Sequence, residues 1–212
     1  MQTSELQAIS SALRAARISK EPIDPPTQQW TNLNPDSAFE FQKITVEEAK
    51  FIKPYVELEP AFVLKDSLKG PNVTIADVIN AIAYAIPAIE IIDSRVKDWA
   101  IELPDTLADN SSTGAVILGG IPRRVTDLAL SKIRGTMRFN GQEIMSGNTR
   151  NVLGNPLSAV AWLANKLVKS DVKFTAGQIF LPGSYLQALP MDKAGSWSCT
   201  FDGWGSIEFD VV

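Results

Sequence analysis

Tyr55 to Leu64 reads YVELEPAFVL, and its period decides the fold class. Val56 and Leu58 fall on one side of an extended chain, Glu57 and Glu59 on the other, so the run is a strand rather than a helix. Two glutamates at i and i+2 project from the same face, with bases about 7 Å apart, close enough to close on one hard cation at about 2.0–2.5 Å per oxygen. The apolar pair Val56 and Leu58 is expected to face the core. Pro60 implies an edge position or a bulge, because proline donates no ladder hydrogen bond. A third carboxylate, Glu90, interrupts the apolar run AIEII and needs a partner or a cation if it is buried. The competing reading makes Glu57 and Glu59 a solvated edge and Glu90 a local cap. Spacing alone leaves both open.

Outward from that strand, Thr74 with Asp77 forms a capping-box pattern for a helix carrying Ile75, Val78, Ile79, Ile82 and Ile86, which Pro87 is expected to stop. Ala88 to Val96 then reads as a buried strand, and Lys97 to Ser112 as a long irregular segment. Asn140-Gly141 joins Ile133–Phe139 to Gln142–Met145 as a hairpin with a type I′ turn. Asn155-Pro156 opens a helix with Leu157, Val160, Ala161, Ala164 and Leu167 inward. Gln178–Leu181 and Gly205–Val212 complete the strands, and Cys199 falls in an alternating strand pattern as a buried small hydrophobe. Before all of this, Ser4 caps a helix with Leu6, Ile9 and Leu13. Glu21 to Pro35, with Pro22, Pro25, Pro26 and Pro35, is an extended connector, and a second helix runs from Ser37 toward Lys50. The result is an α+β protein, strand-rich after Gly70, with residues 1–50 as an N-terminal appendage and 51–212 as the main domain.

Composition narrows the chemistry. The chain has 212 residues, no histidine and a single cysteine, Cys199. Imidazole catalysis, disulfide frameworks and thiolate or imidazole metal sites are therefore excluded, and a metal must be held by oxygen, which favours Mg²⁺, Mn²⁺ or Ca²⁺. A net charge of −4 with scattered Lys and Arg argues against nucleic acid. The start MQTSELQAIS has no signal-peptide pattern. The most apolar stretch, Ile75 to Ile92, is interrupted by Asp77, Asn80, Pro87 and Glu90, which argues against a membrane span. The expectation is a cytoplasmic protein with a small-molecule substrate.

Five blocks in order carry a resemblance: KPYVELEPAFVLKDSLKGPNVT (53–74), AIPAIEIIDSRVKDW (85–99), DTLADNSSTGAVILGG (105–120), LGNPLSAVAWLANKL (153–167) and AGQIFLPGS (176–184). Together they resemble the fumarylacetoacetate hydrolase superfamily, in its branch of 2-hydroxypenta-2,4-dienoate hydratases and 4-oxalocrotonate decarboxylases. The resemblance implies a rolled, mixed β-sheet or barrel with flanking helices and a homo-oligomer. It implies that Glu57, Glu59 and Glu90 bind Mg²⁺ or Mn²⁺, that Asn110 and Ser112 lie near the substrate, and that Leu181, Pro182 and Gly183 form a pocket wall. Trp99 joins the substrate-binding candidates, with packing as its competing role. Lys65, just past the Glu strand, is the available lysine for proton transfer, with a solvated strand end as the alternative.

The resemblance has gaps. The family's lysine-bearing segment between the second helix and the Glu-x-Glu strand has no counterpart, since Lys43–Lys50 runs directly into Phe51. Tyr55 stands where the family usually has Arg, Pro182 replaces a small or hydroxylated residue, and Ser196 replaces an Asp. The implied function is a metal-dependent lyase or isomerase acting on an enolisable 2-oxo acid or β-dicarbonyl compound, with hydration the reaction most weakened. The other readings are a repurposed biosynthetic enzyme that cyclises or dehydrates a larger substrate, with or without metal, and a non-catalytic subunit.

Overall fold

The computed structural model describes residues 51–212 together with residue 8 and the strand β1 (Ile44–Val46). The chain divides into two compact units, Met1–Ile44 and Thr45–Val212. Apart from Ala8, which is helical, the expected first helix lies outside the described residues, as do the Pro-rich connector and the start of the second helix. Where that second helix was expected to reach Val46, the backbone is extended instead.

The second unit is sheet-dominated α+β, as expected. One five-stranded sheet has the order β1-β10-β9-β5-β6, built from β5 (Arg134–Phe139), β6 (Gln142–Asn148), β9 (Gly195–Phe201) and β10 (Gly205–Val211) beside β1. The other runs β4-β3-β2-β7, from β4 (Thr113–Leu118), β3 (Ile82–Ile92), β2 (Tyr55–Leu64) and β7 (Ile179–Phe180), with β8 (Leu189–Pro190) also on β2. The strand β10 packs against β3, which brings the two sheets together. Val56, Leu58, Ile89 and Ile91 from one sheet and Met137, Cys199, Phe201 and Phe209 from the other are buried. Burying such side chains is the main stabilising term. Leu58 is 0 % exposed, and Leu58→Ala is expected to cost about 3 kcal/mol, read as a lower denaturant midpoint at unchanged m.

In residues 51–212 three short α-helices flank the sheets: α1 (Ile75–Ala81), α2 (Leu103–Ala108) and α3 (Pro156–Lys166). Thr74 and Asp77 form the capping box, and Asn155 caps α3 with proline in the first turn, both as the sequence predicts. The hairpin turn is also as expected, with Asn140 at φ 49° and Gly141 at φ 80°. One boundary moves. The Ile82–Ile86 part of the predicted helical stripe is strand, so β3 starts six residues early and runs through Pro87. The β-branched run pairs along most of β2, and that pairing outweighs the local helical period.

Pro87 is tolerated because Pro60 of β2 lies directly opposite it. The Pro87 carbonyl accepts from Gly119 N–H at 3.1 Å, so its peptide faces the β4 side at the place where β4 has just ended. Pro60 is placed by the same logic. On the outer side of β2, β8 pairs with Tyr55 and Val56, and β7 pairs with Phe62 and Val63. The stretch 57–61 between them has no ladder partner among the described strands, and the missing N–H of Pro60 falls there. The edge position inferred from Pro60 is this gap.

Candidate metal and substrate site

The register places the three carboxylates together. Glu57 pairs directly with Glu90 across β2 and β3, and Glu59 pairs with Ala88 one step along, so all three share one sheet face. Their carboxylate oxygens lie within 4.8 Å of one another. Glu59 and Glu90 are buried and Glu57 is half-buried, so the solvated-edge alternative does not describe them.

Burial and like charge raise the pKa of two of these acids, Glu57 and Glu59. Burial pushes Glu57 up to about 7, with the charge of Glu90 adding to it. Burial, then Glu90, raise Glu59 well above the carboxylate range against the pull of the Gly183 N–H. That N–H donates to Glu59 Oε2 at 2.9 Å, and Thr113 Oγ1 donates to Glu90 Oε1 at 2.6 Å. The donor set is all oxygen, partly desolvated and preorganised by two hydrogen bonds from neighbouring elements. It fits a hard divalent cation, which would supply the positive charge that burial and mutual repulsion call for.

Around the triad, the loop 181–184 closes the gap in the outer edge of β2. Gly183 holds Glu59, and Ser184 Oγ donates to the free Leu58 carbonyl at 3.4 Å. Gly183 has φ +108°, and a Cβ built there meets nothing within 4 Å, so this wall opens outward. Leu181 and Pro182 are half-buried and lead into it. On the same face as Glu57 and Glu59, Tyr55 meets Trp99 edge to face at 5.2 Å, while the Trp99 indole N–H donates to the Lys53 carbonyl at 3.1 Å. Trp99 therefore packs, and does so at the rim of the site.

Asn110 and Ser112 belong to a left-handed turn in which Asn110, Ser111 and Ser112 have φ of 54°, 55° and 60°. Such conformations are costly for non-glycine residues and persist only where the surroundings enforce them. Here Ser112 C=O accepts from Asp93 N–H at 2.7 Å, and Arg95 Nε donates to Asp109 Oδ1 at 2.6 Å. Asn110 is exposed, whereas Ser112 is buried with its hydroxyl 3.2 Å from Thr106 Oγ1. The residue that touches the triad is the next one, Thr113, which the sequence reading missed. Its signal lies in the β3–β4 register, invisible until β4 is recognised as a strand. The segment Lys97–Ser112 also contains α2, so it is not irregular throughout.

Asp93 and Arg95 do not pair side chain to side chain. The Asp93 carboxylate accepts from Ile52 and Lys53 N–H at 2.9 and 2.8 Å, and Arg95 takes Asp109. Lys65 is exposed at the far end of β2, six residues and roughly 20 Å from Glu59, so the structure does not bring it to the triad. Two recesses lie elsewhere. A groove of about 480 Å³ is lined by Arg123, Thr200 and Glu208 among others, and a smaller one of about 260 Å³ by Phe139, Ile144 and Trp197 among others. Neither includes a member of the triad.

No family model matches the chain. Curated relatives do. A 2-keto-4-pentenoate hydratase from Burkholderia vietnamiensis is 40% identical over 159 residues, covering 75% of this chain and 61% of that protein. A 2-oxo-hept-4-ene-1,7-dioate hydratase from Escherichia coli is 42% identical over 169 residues, covering 77% of this chain and 63% of that protein. The matched region thus spans about three fifths of these relatives. Among solved structures, 4-oxalocrotonate decarboxylase from Pseudomonas putida G7, complexed with magnesium and adipate, superposes with a TM-score of 0.77 at 24% identity, covering 100% of this chain and 99% of that one. With the blocks in the same order, relatives of these names and the same fold, the chain is similar to the hydratases of the fumarylacetoacetate hydrolase superfamily over about three quarters of its length, and shares its fold with the decarboxylase.

Proposed function

We propose that this chain is a divalent-metal-dependent lyase of the hydratase or decarboxylase type, acting on an enolisable 2-oxo acid. The observation that carries the reading is the convergence of Glu57, Glu59 and Glu90 within 4.8 Å on one sheet face. In this reading the three carboxylates hold Mg²⁺ or Mn²⁺, Gly183 and Thr113 orient Glu59 and Glu90, and Tyr55 with Trp99 limits water at one rim. A bound divalent ion supplies Lewis-acid charge to the carboxylate and keto oxygens of a 2-oxo acid. The similarity to hydratases of 2-oxo acids and to the fold of a decarboxylase complexed with magnesium and adipate supports this assignment.

The site is also proposed to differ from the family's in its proton-transfer group. Among the described residues no lysine hydrogen-bonds or ion-pairs with the triad, and positioned proton transfer is worth about 10²–10⁴ in rate. Hydration, which needs a positioned base, is therefore proposed to be slower than decarboxylation or tautomerisation. The assembly is proposed to be a homo-oligomer, in keeping with large exposed apolar side chains such as Trp162 (57 %) and Leu153 (65 %).

Titration calorimetry with Mn²⁺ and Mg²⁺ on chelator-stripped protein, followed by decarboxylation and hydration assays on 2-oxo acids, tests the assignment. One ion bound per chain and activity lost on chelation are expected. Absence of any divalent binding would remove the metal-dependent reading.

A further inference from the structure

We infer that the wall beside the acidic triad selects a 2-oxo monoacid with an apolar arm over a 2-oxo diacid. The inference rests on the proposed metal-chelating function and deepens it. The names of the relatives do not decide the point, because one acts on a pentenoate and the other on a heptenedioate at nearly equal identity. The register does. Val116 of β4 lies directly opposite Glu90, and Leu118 lies opposite Ala88, which in turn faces Glu59. Residues paired across antiparallel strands share a face. The strip Val116–Glu90–Glu57 and its neighbour Leu118–Ala88–Glu59 thus form one continuous floor, acidic on the β2 side and apolar on the β4 side.

The alternation supports this placement. Ile117, between Val116 and Leu118, is 5 % exposed on the core face, whereas Val116 is 41 % exposed. An exposed valine beside a buried carboxylate cluster leaves apolar surface where the unchelated arm of a ligand would lie. At the other end of the face, Ile92 pairs with Tyr55, and Tyr55 meets Trp99, so that boundary is apolar as well. A terminal carboxylate on this floor would lose hydration without gaining a partner, and the triad itself would repel it.

Among the described residues, the cations nearby are engaged or peripheral. Arg95 bonds Asp109, and Lys65 sits at the far end of β2. Lys53 is exposed, two residues beyond Tyr55 and past the aromatic rim. It is the one group among these that an extended arm could meet, so it needs its own control.

The test compares 2-oxopentanoate with 2-oxopentanedioate, which have the same chain length and differ in the terminal carboxylate. Binding is measured by calorimetry to the Mn²⁺-loaded protein and to the metal-free protein. The monoacid is expected to bind at least 10-fold more tightly, and only with Mn²⁺ present. Val116→Lys, at an exposed position, is expected to reverse the preference while the melting temperature stays near that of the parent. Lys53→Met is expected to leave the ratio unchanged. Equal affinity, or tighter diacid binding, overturns the inference and leaves the metal reading standing. A diacid preference abolished by Lys53→Met assigns the arm to Lys53 and likewise overturns it. If neither acid binds with Mn²⁺, the chelation reading falls and the inference falls with it. If Val116→Lys does not fold, the parent ratio together with Lys53→Met still decides.

Discussion

Glu59→Gln is expected to make the metal-free protein more stable while weakening Mn²⁺ binding by about 100-fold or more. The two effects have one cause. Glu59 is 1 % exposed and faces two other carboxylates, so its ionised form is strained by burial and by like charge. Glutamine keeps the shape and an oxygen for the Gly183 N–H but carries no charge. Removing the cost of either charging this buried acid or keeping it protonated near neutral pH should raise stability by about 1–3 kcal/mol, which moves the melting temperature upward by several degrees in a domain of this size. The loss in affinity follows because even outer partners of metal ligands contribute about 10–100-fold, and a ligand contributes more. Thermal melts without metal and Mn²⁺ titrations are sufficient. A variant that melts lower without metal, or that binds Mn²⁺ like the parent, would show that Glu59 is neither a repelled charge nor a ligand.

The second large effect is on pH. Between about pH 4.5 and 7 the folded protein holds a proton on Glu57 that the unfolded chain has released. Protons favour the folded state in that window, so the metal-free protein is expected to lose stability as pH rises through it. The loss for Glu57 is about 2–3 kcal/mol. Glu59, raised for the same reason, adds in the same direction. The exposed acids Asp77, Asp109 and Asp171, whose pKa values are lowered by their partners, act oppositely and only at lower pH. Saturating Mg²⁺ or Mn²⁺ competes with those protons, so its stabilising effect should grow as pH rises toward and past 7. Denaturant midpoints at pH 5, 6, 7 and 8, with and without metal, give the curve. Metal-free stability that rises between pH 5 and 7 would mean that the three acids already have a compensating cation.

The sequence makes the acidic triad legible because it is carried by two strong signals. One is an i, i+2 pair on an alternating strand, and the other is a lone carboxylate in an apolar run. Both depend only on local period, and the β2–β3 register then completes the geometry. Thr113 and Val116 were hidden because the run TGAVIL mixes glycine with uninterrupted apolar residues and shows no clear alternation. Its two faces emerge only from pairing with β3. The β3 boundary was misplaced for a related reason. Ile75, Val78, Ile79 and Ile82 satisfy a helical period, and only the ten-residue pairing with β2 shows that extension wins from Ile82 onward. Lys65 was adjacent in sequence but not in space, because a strand carries each residue about 3.3 Å further from its neighbours. Arg95 and Asp93, two residues apart, were drawn into separate bonds by the turns on either side of them.

The outer edge of β2 between β8 and β7, which has no ladder partner among the described strands, bears on how this chain behaves in a crowded solution. Free strand edges act as templates on which other chains can add a strand. The gap here falls beside the acidic cluster, where covering it with a full strand would seal the site. Pro60 withholds a donor, the 181–184 loop occupies the Leu58 carbonyl, and the glutamates repel any acidic newcomer. This edge is thus guarded against the addition of another β-strand without a strand of its own to cover it.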